Sequence, residues 1–154
     1  MASYHLRAAT FAQRDKIKAL VRVAQINPLG LDWRRFIVAL DENGEVIGCG
    51  QLKPHRDGSW ELASIVVTSA WQGQGVARAI IEQLLAGSPR PLWLTCVSPL
   101  VPFYTRFDFR EVTAPADMPL YFRWVSRLFR LLTYLSPTNS LSVMCYDGDE
   151  GGGI

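Results

Sequence analysis

Residues 61–86 read ELASIVVTSAWQGQGVARAIIEQLLA, and three patterns follow one another in them. Leu62, Ile65, Val66 and Val67, β-branched toward the end, predict a strand. A five-residue link, 68–72, leads to Gly73-Gln74-Gly75. Beyond it Val76, Ile80, Ile81, Leu84 and Leu85 recur at helical spacing. Strand, glycine loop and helix in that order outline an anion site. First-turn N–H groups lack internal partners, the helix dipole favours negative charge there, and glycine lets backbone approach a phosphate closely.

Two common phosphate motifs are excluded. A P-loop ends in Gly-Lys-Ser/Thr, and this loop has no lysine. A dinucleotide fingerprint needs G-x-G-x-x-G directly after its strand and an acidic residue about 20 positions on. Here Arg78 stands at the third glycine, and no carboxylate lies around Thr95. What remains, Gln72-Gly73-Gln74-Gly75-Val76-Ala77, fits Q/R-x-x-G-x-G/A, and Phe103-Tyr104-Thr105-Arg106-Phe107-Asp108-Phe109 fits F/L-Y-x-x-x-G-F apart from Asp108. With both motifs in register, the chain resembles the GNAT superfamily of acyl-CoA N-acyltransferases.

Around these motifs the chain reads as β-α-β-β-β-α-β-α-β-(α)-β. Strands are expected at 3–8, 36–40, 46–53, 60–67, 92–97, 109–112 and 141–146, and helices at 12–25, 76–86 and 101–106. Thr10 is placed to cap the first helix, and Asp41-Glu-Asn-Gly44 marks a hairpin turn. A further helix spans 119–135 and a turn 136–139, with a disordered tail over 148–154. One domain, 1–147, is expected from this length. The fold class is mixed α/β (α+β): a GNAT-like central sheet of about seven strands flanked by helices. The 119–135 helix is extra, inserted between the last two strands.

Composition limits the partners. The 154 residues are 49% apolar and 19% charged, with a net charge of +2 and no basic run, so no nucleic acid is expected. Cys49, Cys96 and Cys145, an odd and scattered set, read as reduced thiols of a cytoplasmic protein. No apolar signal segment opens the chain, and no His/Cys/carboxylate cluster has metal-ligand spacing, so no metal is expected. Arg123, Arg127 and Arg130 form one stripe on the 119–135 helix. A basic amphipathic helix can lie on an anionic surface, but packing over the sheet is the favoured reading, with a wall beside the acceptor next. Membrane binding is not expected, and oligomeric state stays open.

The resemblance implies acetyl-CoA as co-substrate and direct attack by a primary amine in a ternary complex. Residues Gln72, Gly73, Gln74, Gly75, Val76, Ala77 and Arg78 would then hold the pyrophosphate, and Ile65, Val66 and Val67 the pantetheine arm. A backbone N–H of Val66 or Val67 would polarise the thioester carbonyl. Tyr104 would protonate the leaving thiolate. Asp108, in place of the family's glycine, suits a positive φ better than most residues do. Glu61 stands where several relatives carry a base. Extended alternation would put it on one face with Ala63, Ile65 and Val67, at a distance suited to relay through water. Competing assignments are a core tyrosine with a satisfied hydroxyl for Tyr104 and a solvated carboxylate for Glu61. His55 is a weaker candidate for facing the acceptor, and Cys96 reads as a buried structural thiol. The acceptor itself is not readable, although Asp32, Trp33, Arg34, His55 and Arg56 fall in segments that commonly shape its side. The alternative function is a GNAT-derived module that binds CoA without turnover.

Overall fold

The computed structural model describes residues 2–135 and 140–148, and the backbone alone of 133–135. The expected turn at 136–139 and the expected tail from 149 onward lie outside the described residues. Seven strands are β1 (Tyr4–Ala8), β2 (Phe36–Asp41), β3 (Val46–Pro54), β4 (Trp60–Val67), β5 (Leu92–Val97), β6 (Arg110–Val112) and β7 (Leu141–Tyr146). Four helices are α1 (Arg14–Val23), α2 (Val76–Ala86), α3 (Val101–Thr105) and α4 (Leu120–Leu135). The strands form one sheet in the order β1-β2-β3-β4-β5-β7-β6, a mixed α/β architecture as expected. The chain divides into two compact units, Met1–Lys53 with Leu62–Ser88, and Pro54–Glu61 with Pro89–Ile154.

In the first unit β1 pairs antiparallel with β2, and β2 with β3. The β2–β3 turn closes as its Asn-Gly signal requires. Gly44 takes φ +77°, and the Asp41 carboxylate accepts from the N–H groups of Asn43 and Glu45 at 2.9 and 3.0 Å. Helix α1 starts one short turn later than its periodicity suggests, because Phe11–Gln13 is a 3₁₀ turn in which the Thr10 N–H donates to Gln13 Oε1 at 2.9 Å. Its buried Ile17, Leu20 and Val21 pack with Phe36, Val38, Leu40 and Cys49 on one face of the sheet. On the other face Gly48 and Gly50 admit α2: a Cβ on Gly50 would stand 2.6 Å from Ile65 Cδ1 and 2.8 Å from Ile80 Cγ2. Val76, Ile80, Ile81 and Leu84 of α2 are buried, each contributing about 1.5–3 kcal/mol by the usual transfer scale.

In the second unit β5 pairs antiparallel with β7, and β7 with β6, while Trp60 and Glu61 pair in parallel with Leu92 and Trp93. The inserted α4 is part of this core. Phe122 is fully buried, its ring stacked 5.6 Å from that of Trp93, among Met118, Val112, Val143 and Cys145. The opposite side of α4 is exposed at Leu120, Trp124, Leu128, Leu131 and Leu132. Its first turn is tied down where the Asp57 carboxylate accepts from the Tyr121 N–H at 2.9 Å, an acid at a helix N-terminus where the dipole favours it.

Candidate functional site

The chain leaves β4 through a loop with a fixed backbone. Thr68 N–H donates to Ile47 O at 2.9 Å, Ser69–Trp71 makes a 3₁₀ turn, and α2 begins at Val76. Gly73 and Gly75 take φ +78° and +81°, the left-handed region where side chains are costly. An added Cβ at either glycine would meet nothing within 4 Å. The demand for glycine is therefore conformational, and the space above it is open. The amide groups of Gln72 and Gln74 turn back onto the loop, donating to Val67 O at 3.1 Å and Ala70 O at 3.2 Å. Gly75 serves as N-cap, so no N-cap side chain covers the first-turn N–H groups of Val76, Ala77 and Arg78. Val76 is buried and anchors that turn, whereas Arg78 is exposed and pairs with Glu82 at 2.9 Å. A helix start without a side-chain cap, the dipole and open space together are a geometry suited to an anion.

Strand β4 departs from regular extension at Ser64, which takes φ +59°. The alternation that would set Glu61, Ala63, Ile65 and Val67 on one face assumes unbroken extension, so it does not hold through Ser64. Beyond it Ile65 faces Gly50 toward α2, and Val66 packs on the α1 core. Gln51, fully buried, donates from Nε2 to Ser64 Oγ at 2.9 Å and to Gly30 O at 3.3 Å, while its Oε1 has no partner. Lys53 Nζ donates to Leu29 O at 3.0 Å. Two β3 side chains thus fasten the 26–33 loop. The one legible signal for this was a glutamine inside the apolar run of β3. Asp32, Trp33 and Arg34 line a groove of about 390 Å³ with Phe11, Arg14 and Lys18. The Arg34 backbone N–H, bonded to the Asp32 carboxylate, holds that carboxyl below its usual value.

In the second unit Glu61 is not a solvated carboxylate. It is 7% exposed, and its Oε1 accepts from His55 Nε2 at 2.8 Å. The His55 ring is covered by Tyr121, stacked at 3.6 Å, and met edge-on by Phe122. Burial, reinforced by the Glu61 charge, pushes the Tyr121 hydroxyl above its usual pKa. Tyr121 was missed from sequence, since nothing in the local pattern links it to Asp57, 64 positions upstream. Arg56 is exposed in that same turn.

Tyr104 lies on α3, its ring edge-on to Phe103 at 5.0 Å and to Phe109 at 6.1 Å. Burial, with Cys96 adding to it, pushes the phenol up to about 12. Its hydroxyl makes no hydrogen bond among the described residues, unlike the satisfied core tyrosine that competed for this position. Asp108 adopts φ +68° and closes the turn with its N–H on Thr105 O at 3.0 Å. The departure from the family's glycine is therefore absorbed without loss of the turn. Cys96 is buried, and its thiol is raised to about 11 by desolvation and by Glu111, an inert setting for a nucleophile. Among the described residues no three His, Cys, Asp or Glu side chains gather as a metal cluster, and no helix is long and apolar enough to cross a membrane.

Known proteins share this fold. The N-acetylglutamate synthase of Neisseria gonorrhoeae, solved with coenzyme A and N-acetyl-glutamate, matches with a TM-score of 0.68 at 15% identity, over 93% of this chain and 35% of that one. This chain thus spans about a third of the gonococcal enzyme. A Mycobacterium tuberculosis protein solved with CoA matches with a TM-score of 0.66 at 24% identity, over 90% of this chain and 97% of that one. An acetyltransferase of the GNAT family from Staphylococcus aureus matches with a TM-score of 0.62 at 11% identity, covering 94% and 99%. These likenesses establish the fold. A family model described as an acetyltransferase (GNAT) domain matches residues 32–111, which contain the glycine loop, Glu61 and Tyr104 and make up just over half of the chain. On that match the chain belongs to the GNAT acetyltransferase family.

Proposed function

We propose that this protein transfers an acetyl group from acetyl-CoA to a primary amine, by direct attack within a ternary complex. The observation that carries the reading is the uncapped start of α2 behind Gly73 and Gly75, with nothing within 4 Å of either glycine's missing Cβ. Three consecutive N–H groups at a helix N-terminus suit a pyrophosphate. The gonococcal and mycobacterial neighbours, solved with coenzyme A, add support.

In this reading residues 72–78 hold the pyrophosphate and Ile65, Val66 and Val67 hold the pantetheine arm by their backbone. The left-handed residue Ser64 re-aims the following N–H groups, which suits Val66 or Val67 as donor to the thioester oxygen. The amine nitrogen bonds to the carbonyl carbon, the C–S bond breaks, and the thiolate takes the proton of the Tyr104 hydroxyl. That hydroxyl carries its proton at neutral pH, and among the described residues it makes no hydrogen bond that would compete for it. Glu61, held by His55, receives the ammonium proton through water. The acceptor's class is an amine, and the gonococcal neighbour's N-acetylated amino acid keeps amino acids in the panel.

Release of CoA thiol from acetyl-CoA across amines, amino acids and peptides, with the acetylated product identified by mass, tests the proposal. Amine-dependent thiol release is the expected result. Tight CoA binding with no release for any acceptor would instead support a module that binds without turnover.

A further inference from the structure

Helix α4 uses only part of its circumference to fold. Phe122 is buried against Trp93, and Tyr121 covers His55. At about 100° per residue, Leu120, Trp124, Leu128, Leu131 and Leu132 fall within an arc of about 120°, away from Phe122. They are 66%, 68%, 43%, 69% and 51% exposed. Scattered apolar residues on a surface need no explanation, but a continuous stripe over three turns does. One edge of the stripe is basic. Arg123, Arg127 and Arg130 follow at i, i+4 and i+7. Arg123 is committed, donating from Nε to Pro115 O at 2.9 Å and from Nη2 to Met118 O at 3.2 Å. Arg127 is exposed and makes no ion pair among the described residues. No carboxylate occurs between Asp117 and Asp147, so every charge along this stretch is positive.

That combination narrows the occupant. A second copy packing through the same face would set two basic edges against each other, and like charges across an interface are unfavourable. An extended or helical peptide is recognised at a groove or a sheet edge, and a single convex helix offers neither. An anionic bilayer satisfies both halves of the pattern. Leucines enter the acyl boundary, a tryptophan sits at headgroup level, and the basic edge meets negative lipid charge. Among the described residues no helix is long and apolar enough to cross a membrane, so α4 would lie on the surface rather than span it.

We infer that α4 docks the protein on an anionic phospholipid surface through this stripe, with Arg127 directed to the headgroups. The inference is independent of the acyl-transfer reading, because none of the stripe residues belongs to the proposed catalytic or CoA-binding set. The full chain is co-sedimented with phosphatidylcholine vesicles, with and without phosphatidylserine, at low and high salt. Binding is expected only with phosphatidylserine and should weaken as salt rises. Trp124→Ser combined with Leu128→Ser should abolish it. Arg127→Glu should weaken it roughly thirty-fold, at about one favourable charge lost and one unfavourable charge gained. Both variants should keep the far-ultraviolet circular dichroism and the acetyl-CoA thiol release of the parent. Failure of the full chain to bind phosphatidylserine vesicles, or equal binding to neutral ones, overturns the inference. So does a concentration-dependent dimer, seen by sedimentation, that disappears in Trp124→Ser/Leu128→Ser, since the stripe then serves a second copy. Should the double variant unfold, Arg127→Glu decides: unchanged vesicle binding in it overturns the inference.

Discussion

His55 Nε2 lies 2.8 Å from Glu61 Oε1, and less than a tenth of either side chain reaches solvent. The ring of His55 cannot swing away, because Tyr121 lies face-on to it and Phe122 meets its edge. A carboxylate can only accept in this bond, so His55 Nε2 is its donor. If Glu61 takes the amine proton, Glu61→Gln should lower kcat by about 10²–10⁴-fold, the usual span for general-base help. The amide oxygen can still accept from His55, so the fold should persist. His55→Asn should act indirectly, with a smaller loss of rate and little change in KM for acetyl-CoA. Full turnover in a folded Glu61→Gln variant would make the pair a structural one.

Gly75 and Gly44 provide a matched comparison. Both are in the left-handed region, at φ +81° and +77°, and neither has an atom within 4 Å of a built Cβ. A glutamate at either position should cost about 1–2 kcal/mol of stability from backbone strain. Only Gly75→Glu places a side chain and a negative charge over the α2 N-terminus. It should abolish acetyl-CoA binding in calorimetry, while Gly44→Glu leaves the affinity unchanged. Equal affinities in the two variants would remove the cofactor assignment.

Tyr104→Phe should reduce kcat by about 10²–10⁴-fold with little change in acetyl-CoA affinity, since only a proton donor is lost. Because burial raises the phenol to about 12, the wild type should show no alkaline limb from this group near neutral pH. Wild-type kcat in the variant, with chemistry rate-limiting, would return Tyr104 to a packing role.

Alkaline stability should follow the buried thiols. Cys49 is fully buried, and desolvation raises its thiol from 9.0 to about 12. The unfolded chain therefore loses this proton first. The contribution is complete below the unfolded value of 9.0 and falls away as pH rises toward about 12, at about 1.4 kcal/mol per pH unit for one group. Tyr104, raised from 10.0 to about 12, acts in the same direction over the upper part of that window. Urea midpoints measured upward from pH 8 should decline, and Cys49→Ala should make the decline shallower. A flat profile would contradict the burial of this thiol.

The parts of the site that were legible in the sequence are those whose signal is local. Gly73 and Gly75 betray themselves by spacing between a strand and a helix, and Asp108 by the tolerance of aspartate for positive φ, which it adopts at +68°. The partner of Glu61 was not legible. Arg56 is nearer in sequence than His55 and Lys53 little farther, and the choice is made by Tyr121, which arrives from α4. The kink in β4 was also hidden, because Ile65, Val66 and Val67 signal extension and a lone serine does not announce φ +59°. Helix α4 was readable as a helix, but its apolar residues lie nearly all round. Which of them are buried depends on Trp93 and β7, and no pattern within the helix encodes that.

The two glycines of β3 act at a distance as a spacer. A Cβ on Gly48 would stand 3.2 Å from Val76 Cγ1 and from Ile80 Cδ1, and one on Gly50 would press on Ile80 and Leu84. Hydrogen atoms, not methyl groups, therefore set how low α2 rides on the sheet, and Val76 is the residue with which α2 begins. Any side chain at Gly48 or Gly50 must lift that first turn or tilt it, carrying the N–H groups of residues 76–78 along. On the proposed function, the height of the loop that would seat the anion is thus governed by two positions on another strand, so a single added methyl group there should act as a remote adjustment of acetyl-CoA affinity.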